Sequence, residues 1–291
     1  MGRGYFQFRQ FTVCHDRCAM KVGTDGTLLG AWARGGRRVL DVGTGTGLIA
    51  LMMAQRYPAA EVLAIDIDAA AAQQAAENVA ASPFAQRIRV IQGDVRLNSQ
   101  FSINFVDFCH DSAKQASLMA LAAPKVPNSQ FSINFVDFCH DSAKQASLMA
   151  LAAPKVPNSQ LFDSIVCNPP FFADSLQCPD RQRSLARHAD TLTYADLMAI
   201  AQQLLTDDGE LSVIVPFDSK SRLVSEAALA GLFLMRECAV STTPEKAPRR
   251  YLMAFGRHSS DELERRAEVL ELAPGLRSEW YSELTKDFYI K

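Results

Sequence analysis

Long apolar runs are missing from this 291-residue chain: none approaches the ~20 residues that cross a bilayer, and nothing at its start reads as a signal peptide. A disulfide framework is missing too. The seven cysteines (14, 18, 109, 139, 167, 178 and 238) are odd in number and follow no scaffold spacing. Cys14 and Cys18 form a lone C-x-x-x-C with no second pair, so no zinc site, and no metal, is expected. A reducing, cytoplasmic setting fits this usage. Strong charge of one sign is also absent. The formal net charge is −2, so composition does not make the whole molecule a polyanion binder. The balance is uneven, however: residues 1–38 hold seven cations (Arg3, Arg9, Arg17, Lys21, Arg34, Arg37 and Arg38) against Asp16 and Asp25. Such an arm can meet phosphates or can be an ordinary solvated surface.

What is present is enough apolar residue, 48%, for a full core, and from Val39 onward an alternation of strand and helix patterns. Strands are expected at 38–41, 62–66, 88–92, 162–167 and 210–215, with a late pair at 233–240 and 251–255. Helices are expected at 48–56, 69–81 and 194–205, the last opened by Thr193 and Asp196 in a capping-box spacing and closed by Asp208-Gly209. This is the pattern of an α/β fold, a mostly parallel sheet with helices on both faces. Ahead of it, Phe6, Phe8 and Phe11 interleave with Arg9; they either stack bases or plug the edge of a core.

Residues 99–128 recur letter for letter at 129–158. Structural repeats drift, because only their core positions are constrained, so identity over 30 residues points to a recent tandem duplication or an artificial insertion. Asp94 and Asn168 lie 74 residues apart; without the two 30-residue units, 14 remain, an ordinary connection between strands. The expected organisation is therefore one domain, 1–98 with 159–291, in which 1–37 is an arm or cap and 99–158 is a graft between strands three and four. The Cys-His dipeptides 109–110 and 139–140 are a by-product of the duplication, not ligands.

Four motifs fall at the carboxyl ends of strands, where open parallel sheets bind ligands. The first is D-V-G-T-G-T-G, Asp41 to Gly47. Gly43, Gly45 and Gly47 let the backbone approach a nucleotide-like ligand closely, while Asp41 can fix the loop or meet a cationic group. The second is Asp66, at the place where an acid accepts two ribose hydroxyls; its other reading is a helix N-cap. The third, Asp94, can accept from an adenine amino group or simply end a solvated turn. The fourth is Asn168-Pro169-Pro170-Phe171. An amine conjugated to a ring is a poor nucleophile until its two hydrogens are held and its lone pair is aimed. The Asn168 side-chain oxygen and the Pro169 carbonyl can accept those hydrogens, Pro170 stiffens the backbone and Phe171 can stack on the ring. Alignment and electrostatics then carry the step, without a metal.

This order of motifs resembles class I S-adenosylmethionine-dependent methyltransferases acting on exocyclic or amide nitrogens. More narrowly, residues 11–33, N-P-P-F-F (168–172), A-R-H (186–188) and L-T-K-D-F-Y-I-K (284–291) resemble the bacterial tRNA adenine-N6 methyltransferases that modify valine tRNA beside the anticodon. The resemblance implies a Rossmann-like, seven-stranded sheet. It implies S-adenosylmethionine held by Asp41, Gly43, Thr44, Gly45, Gly47, Asp66 and Asp94, and a target adenine held by Asn168, Pro169, Pro170 and Phe171. A monomer that meets tRNA is expected, with the basic arm and Arg181, Arg183 and Arg187 either tracking RNA phosphates or forming solvated surface. Two other readings stay open. One is N-methylation of a release-factor glutamine or an rRNA guanine, although only 37 residues precede the first strand and no second glycine loop occurs. The other is a cofactor- or RNA-binding protein silenced by the insertion.

Overall fold

The computed structural model describes residues 4–18, 21–97, 161–169, 192–259 and 262–290, which belong to one compact unit. The duplicated segment 99–158 lies outside the described residues. The arm begins with a hairpin, β1 (Tyr5–Gln7) and β2 (Thr12–Cys14), followed by helix α1 (Thr24–Trp32). Then come β3 (Arg38–Val42), α2 (Leu48–Arg56), β4 (Glu61–Asp66), α3 (Ala69–Ala80), β5 (Ile88–Gln92) and β6 (Phe162–Cys167). The second half holds α4 (Tyr194–Leu204), β7 (Leu205–Pro216), α5 (Lys220–Leu229), β8 (Phe233–Ser241), β9 (Arg250–Gly256) and β10 (Glu264–Val269). A small hairpin, β11 (Glu271–Ala273) with β12 (Leu276–Arg277), and α6 (Glu279–Thr285) follow.

The main sheet runs β10-β8-β9-β7-β6-β3-β4-β5. Within this sheet, among the described strands, only β9 is antiparallel to its neighbours. The sheet thus has eight strands rather than seven. The extra one, β10, reads E-R-R-A-E-V and carries no apolar alternation, because it is an edge strand whose outer side faces water. Strand alternation divides the core in two. Val39, Val62, Ala64, Val166, Ile214 and Leu252 join one buried cluster with α1 and α2. Their neighbours Leu40, Leu63, Ile65, Ile165, Val213 and Met253 are equally buried on the other face. Burial on both faces is what makes these strands near-continuous apolar runs.

Helix α1 has no period to read because it is buried nearly all round, from Gly26 to Ala31. Its glycines set its distance from α2: a Cβ on Gly30 would meet Met52 Sδ at 2.7 Å, and one on Gly26 would meet Leu48 at 3.1 Å. The capping box at Thr193 forms as expected, with Thr193 Oγ1 accepting from the Asp196 N–H and Asp196 accepting from the Thr193 N–H. Asp208-Gly209 does not close α4. The strand begins at Leu205, and the register slips between Phe162 and Ser164 to let 206–209 bulge past.

The arm's aromatics answer the question left by the sequence. Phe8 and Phe11 are buried, stacked on one another with centroids 4.8 Å apart, and packed on Tyr289 and Phe84. They plug a core edge against the C-terminal segment, so base stacking by these two is ruled out. Arg9 ties the same corner through its N–H to Phe288 O and its guanidinium to Lys286 O.

Candidate active site

The glycine loop leaves β3 and enters α2. Gly43, Gly45 and Gly47 adopt φ of +67°, +56° and +78°, a region that side chains with a Cβ avoid. Gly47 also approaches Ala75 of α3 closely, whereas the positions a Cβ would take on Gly43 and Gly45 have no heavy atom within 4 Å. Two of the three glycines therefore border open space, as close approach by a ligand requires. The loop is held from below. Gly43 and Thr44 donate to Ile65 O, and Thr44 Oγ1 and the Ala50 N–H both donate to one oxygen of Asp41, at 2.6 and 3.1 Å. Thr44 is thus turned inward, and its hydroxyl serves the loop.

Asp41 is fully buried, and its other oxygen, Oδ1, has no partner. Burial pushes its carboxyl up to about 7, against the Thr44 and Ala50 bonds and with a smaller push from Asp66. Asp66 is not a helix N-cap; Asp68 caps α3 by accepting from the Ala70 N–H. Asp66 instead accepts from the Gly45 N–H at 2.8 Å and the Asp68 N–H at 3.0 Å, one bond to each oxygen. It joins the end of β4 to the glycine loop and leaves lone pairs on both oxygens for hydroxyl donors. Asp94 forms a two-pronged pair with Arg96, 2.9 Å to Nε and 2.6 Å to Nη2, which holds its carboxyl below the usual range. Any amino group that it accepts must share it with that guanidinium.

Asn168 closes the constellation. The β3–β6 ladder sets Val42 beside Cys167, so Gly43 and Asn168 leave the sheet from adjacent strands, ~4.8 Å apart. This is also the switch point, since β4 and β5 lie to one side of β3 and β6 to the other. Asn168 Oδ1 is buried and without a partner, and Pro169 is buried behind it. An orphaned buried acceptor costs ~1–3 kcal/mol, which a ligand donor would recover. The preceding Cys167 is no competing nucleophile: burial, with the charges of Asp41 and Asp66, keeps its thiol protonated. Among the described residues no cluster of His, Cys, Asp and Glu could hold a metal, and no helix is long and apolar enough to cross a membrane.

The sequence profile described as "Methyltransferase domain" matches residues 39–125. The chain is 39% identical over 293 residues to the tRNA1(Val) (adenine(37)-N6)-methyltransferase of Bacteroides fragilis, covering all of both proteins. The chain belongs to this family. Members from Phocaeicola vulgatus, 40% identical over all of this chain and 99% of theirs, and Mannheimia succiniciproducens, 34% identical over 98% and 94%, are similar along their length. A crystal structure of a predicted O-methyltransferase from Agrobacterium tumefaciens shares the fold, with a TM-score of 0.55, 18% identity, and coverage of 91% of this chain and 96% of that one.

Within this family member the basic arm is not one patch. Arg34, Arg37 and Arg38 stand at the amino edge of the sheet, opposite Asn168, where Arg34 faces Glu210 and Glu264. Arg17 pairs with Glu77 on α3. Asp25 pairs with Arg250 at the start of β9 and pins α1 there. A residue that sequence reasoning missed is Asn78. It exchanges two hydrogen bonds with the Cys14 backbone and donates a third to Thr46 O, locking the arm hairpin to the glycine loop. Its only signal was an amide on the buried side of an alanine helix. Pro170, Phe171, Arg181, Arg183 and Arg187 lie outside the described residues.

Proposed function

We propose that this chain methylates the exocyclic N6 amine of an adenine in tRNA, valine tRNA next to the anticodon, as its relatives are named for doing. S-adenosylmethionine is the methyl donor, its sulfonium supplying an electrophilic methyl group. The single observation carrying the reading is the buried, partnerless Asn168 oxygen, one strand away from an open glycine loop. That oxygen and the Pro169 carbonyl accept the two amine hydrogens and fix the nitrogen's orientation, while Phe171 stacks on the base. Gly43 and Gly45 admit the cofactor, Asp66 takes its ribose hydroxyls, and Asp94, shared with Arg96, lies nearest its adenine. No strong base is required, because orientation supplies the rate. The tRNA crosses the carboxyl edge of the sheet, and Lys21, Arg181, Arg183 and Arg187 are the cations expected to meet its phosphates. A monomer in the cytoplasm suffices for this work. The segment 99–158 is a graft on the connection after Asp94.

The test is nucleoside mass spectrometry of valine tRNA treated with the intact protein, with Asn168→Ala, and with a chain lacking 99–158. N6-methyladenosine is expected from the intact protein. Asn168→Ala should lower kcat/KM about a hundredfold or more, the scale for one preorganised polar contact, while still binding S-adenosylhomocysteine. Equal product from Asn168→Ala and the intact protein would refute the assignment. Product from the shortened chain alone would show that the graft blocks turnover.

A further inference from the structure

A second surface lies at the same edge of the sheet, beyond Asn168. Strand β7 runs past the level of the site. Cys167 is beside Val213, so Phe217 stands three residues beyond the position beside Asn168, ~10 Å along the strand. The β7–β9 ladder continues to that point, with Val215 opposite Tyr251, Pro216 opposite Arg250, and the Phe217 N–H donating to Arg249 O. Phe217 is therefore rigidly mounted, yet 43% exposed. Its ring stacks on Tyr251 with centroids 5.4 Å apart and planes 21° from parallel. Lys220 Nζ stands 4.4 Å from the Tyr251 centroid and is itself held by Glu237 at 2.7 Å. Lys246 and Arg249 are exposed on the β8–β9 connection. In segments 217–222 and 242–250 five cations (Lys220, Arg222, Lys246, Arg249 and Arg250) face two acids, Asp218 and Glu245; adding Glu237 and Asp25 from neighbouring elements still leaves the cations in excess.

An exposed aromatic ring, backed by a half-buried one and fringed with cations, is what single-stranded nucleic acid requires. A base stacks on the open face of Phe217, and phosphates meet the lysines and arginines. We propose that Phe217 and Tyr251, with Lys246 and Arg249, form a stacking platform for an unpaired RNA nucleotide flanking the target adenine. The proposal rests on the RNA reading above. It gives that RNA a second point of grip, so that the loop is held on both sides of the amine while Asn168 aims it.

The probe is a fluorescein-labelled RNA hairpin with an unpaired, adenine-containing loop, and a blunt duplex of the same stem is the control. Phe217→Ala should raise the hairpin Kd about tenfold, the effect of one lost base stack, and Phe217→Trp should restore it. The Kd for S-adenosylhomocysteine should stay unchanged in both, showing that the fold is intact. Lys246→Gln with Arg249→Gln should flatten the salt dependence of hairpin binding by about 1.4 in log–log slope. If Phe217→Ala binds the hairpin as tightly as wild type while wild type methylates it, the platform is overturned and the exposed ring belongs to a protein contact. Equal losses on hairpin and duplex would also overturn it, since stacking needs an unpaired base. If wild type methylates no RNA at all, the proposed function falls, and the platform with it.

Discussion

Asp41 offers a test that separates electrostatics from packing. Its carboxyl moves from an ordinary 3.8 to about 7 because it is fully buried. A raised pKa means that the folded state favours the protonated form. Asp41's contribution to stability is then fully present below pH ~4 and is lost as pH rises through ~7. The size of the loss follows from the two values, at about 1.4 kcal/mol for each pH unit between them, or about 4 kcal/mol well above pH 7. Asp41→Asn removes the charge and keeps the shape. Its amide oxygen can still accept from Thr44 Oγ1 and the Ala50 N–H, and its amide nitrogen takes the place of an oxygen that has no partner. The variant bears a fixed cost for that buried NH2, about 1–3 kcal/mol, at every pH. Urea unfolding of both proteins without cofactor, from pH 5 to 8.5, should show the wild type losing about 3 kcal/mol more than the variant across the range, the part of the loss that falls above pH 5. Other titrating groups cancel in the difference. Parallel stability curves would refute a carboxyl titrating near neutrality, and with it the claim that the loop is anchored on a half-protonated acid.

Two further substitutions probe the loop and its clamp. Gly45→Ala places a Cβ at φ +56° in open space; it should cost about 1–2 kcal/mol of stability and weaken S-adenosylhomocysteine binding at least tenfold by calorimetry. Gly275→Ala, at φ +80° with the same open space, should cost as much stability and leave binding alone, so equal effects on binding would end the case for the cradle. Asn78→Ala strands the part-buried N–H and carbonyl of Cys14 and the buried Thr46 carbonyl; a loss of about 2–4 kcal/mol in urea unfolding is expected, and a loss under about 0.5 kcal/mol would show that the arm does not depend on this clamp.

Legibility in the sequence followed the range of the interactions involved. The expected strand at 162–167, the helix at 48–56 and the Thr193 capping box appear at those residues, since period and cap chemistry act within a few positions. Helix α1 and strand β10 escaped for opposite reasons: one is buried all round and the other is a charged edge, so neither carries a period. Asp66 and Asp68 were two residues apart with the same side chain, and only their bonds tell which caps the helix and which holds Gly45.

The order of elements, the positive-φ glycines and the placing of every motif at a strand's carboxyl end were determined by the sequence itself, because they depend on backbone sterics and on neighbours a turn or a pleat away. The tertiary structure decided the rest. It sent Phe8 and Phe11 into the core, carried Arg34, Arg37 and Arg38 to the edge opposite the site, raised the carboxyl pKa of Asp41 by burying it and set Phe217 against Tyr251. Each of these outcomes depends on which distant residue stands alongside and on how much water remains, and no spacing along a chain encodes either quantity.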